Sequence, residues 1–199
     1  MKKALLALAA LAVSASTFAQ GTIDFINRNI STVADPSVLY NVPIYTEGGR
    51  ATGTGAGNLP GGVTVGLFVA GADANAAPLV STLLRTGTAV QSQFFAVSPQ
   101  TATIPNVGPG VAANLMVRAW QGSSFAAASA GGGQFGEWTF TSQPLGGTPA
   151  GGGLPVPTPG MTGWGPENGT GFELHTVPEP TTIALGVLGV GALFLRRRK

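Results

Sequence analysis

One histidine, eight carboxylates and no cysteine are the raw material for acid–base, nucleophilic or metal chemistry in this chain of 199 residues. A Ser-His-Asp arrangement would have to use His175, which stands three residues before Pro178 near the chain end. A general base needs a rigid support, and that position offers a poor one. A single histidine excludes a multi-histidine metal centre, and the lack of cysteine excludes thiolate ligands, so neither a metal nor a cofactor is expected. Gly122-Ser123-Ser124-Phe125-Ala126 approaches the Gly-x-Ser-x-Gly elbow of hydrolases, but Ala126 takes the place of the second glycine and no strand-to-helix pattern surrounds it. A turn is the expectation there. Gly53-Thr54-Gly55-Ala56-Gly57 lacks the Gly-x-Gly-x-x-Gly spacing and the following helix that a phosphate cradle needs. Asp73-Ala74-Asn75 offers oxygen ligands at alternate positions, as calcium loops do, without the glycine or distal glutamate that would complete one. It too reads as a turn.

Two other chemistries need weighing. Glu137 with Glu173 or Asp73 could serve as the acid/base pair of a secreted hydrolase, provided they face each other at about 5 to 10 Å across a cleft. Trp120, Trp138 and Trp164 could stack on sugar rings, with Gln121, Glu137 or Asn168 bonding the hydroxyls. Trp120 closes one strand pattern and Trp138 opens another, places where an indole packs over a sheet. Trp164, between Gly163 and Gly165 in a loose segment, is the tryptophan expected to be exposed for glycan stacking. No catalytic residue is assigned, and the chain is expected not to be an enzyme; a carbohydrate-binding module and a carboxylate-dependent hydrolase are the alternatives.

The elements that must carry these residues are short strands. Val63–Ala70 alternates cleanly, with Val63, Val65, Leu67 and Val69 on one face. Gly21–Asn27 puts Ile23 and Phe25 on one face, and Ala113–Trp120 sends Leu115, Val117 and Ala119 inward while Asn114 and Arg118 point out. Weaker strands are expected near Leu79–Arg85, Gln93–Val97, Thr101–Ile104, Glu137–Thr141 and Gly171–His175. No segment of the body has a convincing helical period, and the Ala-rich run 125–130 is too short for more than two turns. The expected fold is all-β, a single antiparallel β-sandwich over residues 20–142, with a jelly roll or β-barrel as the alternative. Residues 47–62 read as glycine-rich surface. Residues 143–176 read as a Gly/Pro-rich loop or stalk with a last strand at 171–175.

The two ends read as addresses. Met1-Lys2-Lys3, the apolar run Ala4–Val13 and the small residues Thr17 and Ala19 make residues 1–19 a secretory signal peptide, with the mature chain starting at Gln20. At the other end, 181–195 is an uncharged run of fifteen residues. As a helix it spans about 22 Å against a hydrocarbon core of about 30 Å. Arg196, Arg197, Arg198 and Lys199 compensate by snorkelling toward headgroups, and they hold the C-terminus on the cytoplasmic side. A transmembrane helix is expected over 181–195. Between the two ends, residues 20–177 carry four arginines, no lysine and seven carboxylates, a net charge of −3. No clustered basic face is available, which disfavours nucleic acid as a partner.

Pro178-Glu179-Pro180, the apolar run and the terminal cluster Arg196–Lys199 together resemble the PEP-CTERM sorting signal of exopolysaccharide-producing Gram-negative bacteria, over residues 177–199. The resemblance implies recognition by an exosortase, a membrane cysteine peptidase acting near the Pro-Glu-Pro motif. The prolines flanking Glu179 keep that segment extended and accessible. Expected partners are therefore signal peptidase, exosortase, the membrane as a transient anchor, and exopolysaccharide. The expected itinerary is an inner-membrane precursor with a periplasmic body, followed by the cell surface or the extracellular matrix.

Overall fold

Alternating apolar residues and closely spaced turns divide the body into nine strands among the described residues. The computed structural model describes residues 20–27, 42–88, 90–95, 100–161 and 171–177. The strands are β1 (Gly21–Phe25), β2 (Ile44–Tyr45), β3 (Val63–Val69), β4 (Val80–Leu83), β5 (Gln100–Ile104), β6 (Asn114–Gln121), β7 (Gln134–Thr141), β8 (Phe172–Glu173) and β9 (His175–Thr176). Five of them form one antiparallel sheet in the order β4-β3-β6-β7-β9. Two smaller ladders complete the set: β1 with β5, antiparallel, and β2 with β8, parallel. The all-β expectation holds, and the sheets are mostly antiparallel. In place of a second broad sheet, however, the described residues supply two two-stranded ladders, and the parallel one joins segments too far apart in sequence for any local pattern to announce.

One cluster forms the main core. Val63, Val65 and Leu67 of β3 and Leu115, Val117 and Ala119 of β6 meet Ile23 and Phe25 of β1, Ala102 and Ile104 of β5, and Ile44 and Phe172 of the parallel ladder. The residues of β1, β3 and β6 among them are those that the period-two pattern assigns to one face, except that Val69, at the end of β3, is exposed; burial of this cluster is the principal favourable term in a chain with no disulfide. β6 is buried on its other face as well, because a short helix at Phe125–Ala127 and the turns of residues 72–76 cover Met116, Arg118 and Trp120. Ser124 caps that helix by accepting the Ala127 N–H at 3.1 Å, so the serine of the would-be elbow does structural work.

Two segments differ from their sequence expectation. Residues 47–62 are folded into a helical turn at Gly49–Thr52 and a 3-10 turn at Ala56–Asn58, with Gly55, Ala56 and Gly57 buried. The glycines permit close backbone contact: a Cβ on Gly57 would collide with the carbonyl oxygen of Arg85, and one on Gly55 with Ser92. Of the strand expected at 93–97, residues 93–95 are described: a 3-10 turn at Gln91–Gln93 leads into a bridge between Phe95 and Leu84, and 96–97 lie outside the described residues. Asn27, fully buried just beyond β1, holds this turn. Its amide donates to the carbonyls of Val42 (3.0 Å) and Gln93 (3.1 Å) and accepts the Phe95 N–H (3.0 Å), occupying backbone groups that a ladder would use.

Residues 143–161 are irregular and lie along the free edge of β1. Thr22 and Gly146 exchange both backbone hydrogen bonds, at 2.9 and 2.8 Å, and the Asp24 N–H donates to Pro159 at 2.8 Å. Leu145 and Met161 from this segment are fully buried in the main core.

Candidate functional site

The candidate site is the edge of the sheet where the described body ends. β9 pairs with the start of β7, Gln134 opposite Thr176 and Phe135 opposite His175. Glu47, brought in from the turn after β2, accepts two hydrogen bonds with one oxygen. The Thr176 hydroxyl donates to Oε2 at 2.6 Å and the Thr176 N–H at 3.2 Å. Glu47 is itself placed by its own N–H, which donates to Gln134 Oε1 at 3.1 Å. Two residues upstream of β9, Glu173 accepts the Arg50 N–H at 2.7 Å, and Leu174 between them is fully buried. The last residues of the body are thus held by strand pairing, by two carboxylates and by a buried leucine.

The outer face of the same sheet carries a run of ring contacts ending at this edge. Phe68 of β3 lies 6.4 Å from Trp120 of β6, and Trp120 lies 6.4 Å from Phe125. Phe125 meets Phe135 of β7 edge to face at 5.6 Å, and Phe135 packs on His175 at 4.3 Å. His175 therefore has a packing role at an exposed strand edge, and Trp120 is enclosed rather than offered to a ligand. Trp138 is half-buried against the main core.

Arg118 occupies the centre of this face. As the alternation requires, it points away from the main core, yet it is only 5% exposed. Its guanidinium lies 5.0 Å from the Phe68 ring centre and 4.4 Å from that of Phe125. Nη1 and Nη2 donate to the carbonyls of Asp73 (2.6 Å) and Ala72 (2.7 Å), and Nε donates to Glu137 at 3.0 Å.

The proposed hydrolase carboxylates can now be placed. Glu137 pairs with Arg118; Asp73 Oδ1 accepts the Asn75 N–H at 2.8 Å in the expected turn; Glu173 serves the Arg50 backbone. Arg118 links Glu137 to the Asp73 backbone, and Glu173 belongs to a separate ladder. Among the described residues no three His, Cys, Asp or Glu side chains gather as a metal site. Trp164, Pro178, Glu179, Pro180 and Arg196–Lys199 lie outside the described residues, as do 1–19 and 181–195. No helix among the described residues is long and apolar enough to cross a membrane. Sequence reasoning missed Glu47 and Gln134, whose only signal is polarity in glycine-rich surroundings.

The chain leaves the sheet at Thr176, and there a known likeness begins. Residues 176–199 match the PEP-CTERM protein-sorting motif. This PEP-CTERM match has the position and extent of the resemblance read from Pro178-Glu179-Pro180, the apolar run and the basic end. It implies a membrane-anchored precursor that is processed by exosortase and exported to the cell surface. No curated protein and no solved structure matches the chain. The first residue of the PEP-CTERM match is also the last residue of β9, so the matched segment overlaps the folded body at Thr176.

Proposed function

We propose that this is a non-catalytic surface or exopolysaccharide-matrix protein, exported through its N-terminal signal peptide, held briefly in the inner membrane and released by exosortase-type cleavage. The observation that carries the reading is the PEP-CTERM match at residues 176–199, rooted directly on the edge strand of an all-β body. The non-catalytic part is supported by what the polar side chains are already doing. Asp24, Glu47, Asp73, Glu137 and Glu173 each accept a hydrogen bond from the protein itself. Arg118 is committed to two carbonyls and one carboxylate, and the lone histidine packs on Phe135. The carbohydrate-binding alternative rests on Trp164, since Trp120 is enclosed.

The reading is tested by substituting the motif in the native host. The triple variant Pro178→Ala, Glu179→Gln, Pro180→Ala should accumulate as uncut precursor in the membrane fraction while the wild type is processed. Normal processing of that variant would remove the motif from the account.

A further inference from the structure

We infer that the end of the five-stranded sheet bearing Thr176, Gln134 and Gln121 faces the lipid surface while the precursor is anchored, with the opposite end, at Asn114 and Thr141, turned away. The inference rests on the anchored-precursor reading of the tail and adds the orientation of the body.

Thr176 is fixed to the body by its pairing with Gln134 and by two hydrogen bonds to Glu47. The uncharged run begins at Thr181, five residues further on. Fully extended, that stretch reaches at most about 18 Å. β7 runs eight residues away from Gln134 to Thr141, a rise of about 24 Å. To bring Asn114 or Thr141 down to the bilayer end-on, the tether would have to run the whole length of β7 before reaching lipid. It is too short for that.

The chemistry of the near end agrees. It is built from the turn Pro60–Gly62 before β3, Gly122–Ser123 after β6 and Gly131–Gly133 before β7, none of which carries a charge. The Gln121 side chain ties two of these turns together by donating to the Pro60 carbonyl at 2.8 Å. Uncharged, side-chain-poor turns can approach headgroups without stripping water from ionised groups. The charged residues around this end are Glu47 and Glu173, occupied with Thr176 and the Arg50 N–H, and two exposed arginines, Arg50 beside Glu173 and Arg85 just after β4, whose cations suit anionic headgroups.

The absence of cysteine makes the test direct. Single-cysteine precursors are made with Ser123→Cys at the near end or Ala112→Cys at the far end, both exposed positions. Each full-length precursor is reconstituted in phosphatidylethanolamine/phosphatidylglycerol vesicles, labelled with a small fluorophore, and read with headgroup-linked nitroxide quencher. Quenching at position 123 should exceed that at 112 by about threefold or more, given the separation of about 24 Å along the sheet. Equal quenching, or stronger quenching at 112, overturns the orientation. Vesicle flotation in the same samples reads the anchoring itself: precursor that fails to float with lipid refutes the anchored reading and the orientation with it. Floating precursor with equal quenching refutes the orientation alone.

Discussion

Arg118 and Glu137 sit directly opposite each other on β6 and β7, joined by a 3.0 Å ion pair of which one partner is enclosed and the other is about half exposed. The two ends of this bridge should therefore respond differently to mutation. Removing Glu137 leaves Arg118 with two carbonyl acceptors and two aromatic faces, so Glu137→Gln should cost less than about 1 kcal/mol. Removing Arg118 empties the aromatic cage, takes the guanidinium from the Ala72 carbonyl and leaves the Asp73 carbonyl with the Ala76 N–H alone, so Arg118→Ala should cost about 3 kcal/mol. Arg118→Lys should fall between them, because an ammonium cannot serve three acceptors arrayed around a planar fork. Urea denaturation of the body, residues 20–177, measures all three. Equal losses for E137Q and R118A would show that the ion pair, rather than the carbonyls and rings, dominates.

Asn27 is the second buried polar keystone. Asn27→Ala removes three buried hydrogen bonds, to the carbonyls of Val42 and Gln93 and from the Phe95 N–H, and should cost about 2 to 4 kcal/mol. Asn27→Asp can still accept from Phe95 but faces the Val42 and Gln93 carbonyls with a negative charge. Burial among acceptors raises the folded-state pKa of the introduced carboxyl above its unfolded value. Its relative stability should then be greatest at low pH and fall as pH rises through the folded value. Denaturation midpoints of N27D relative to wild type, followed from pH 4 to 7, should diverge with rising pH; a constant difference would contradict the buried geometry.

The two glycine-rich segments should behave in opposite ways. Gly57→Ala drives a Cβ into backbone at Arg85, and the clash should cost about 2 kcal/mol or more. At Gly153 an added Cβ would meet only the Pro149 ring, 3.4 Å away. Gly153→Ala should change stability by no more than about 0.5 kcal/mol. Thermal melts of the two variants distinguish a packed segment from a tolerant one.

What the sequence made legible follows from how local each signal is. Val63–Val69, Asn114–Gln121 and Gly21–Phe25 showed their inward faces because alternation is written within the strand itself. The sorting motif was legible for the same reason, being a contiguous pattern. Ile44–Tyr45 was missed because two residues carry no period and their partners, Phe172 and Glu173, are remote in sequence. Where the strand expected at 93–97 is described, at 93–95, Asn27 takes the Gln93 carbonyl and the Phe95 N–H, a long-range contact that no pattern around Gln93 encodes. The enclosure of Arg118 was hidden too: alternation assigns it correctly to the outer face but says nothing of what Phe125 and the turn at Asp73 lay over that face. Glu47 became visible as the residue that holds Thr176 only once the fold had closed the 129 positions between them.

The central claim is that the tail beginning at Thr176 is a sorting signal removed during export. Intact-mass spectrometry of the protein released by native cells tests it most directly, compared with the same chain expressed in a host lacking exosortase. The account predicts released protein that begins at or near Gln20 and has lost most of residues 181–199, and, in the second host, a species retaining Arg196–Lys199 in the membrane fraction. Released protein from native cells that still carries an intact tail through Lys199 would contradict it.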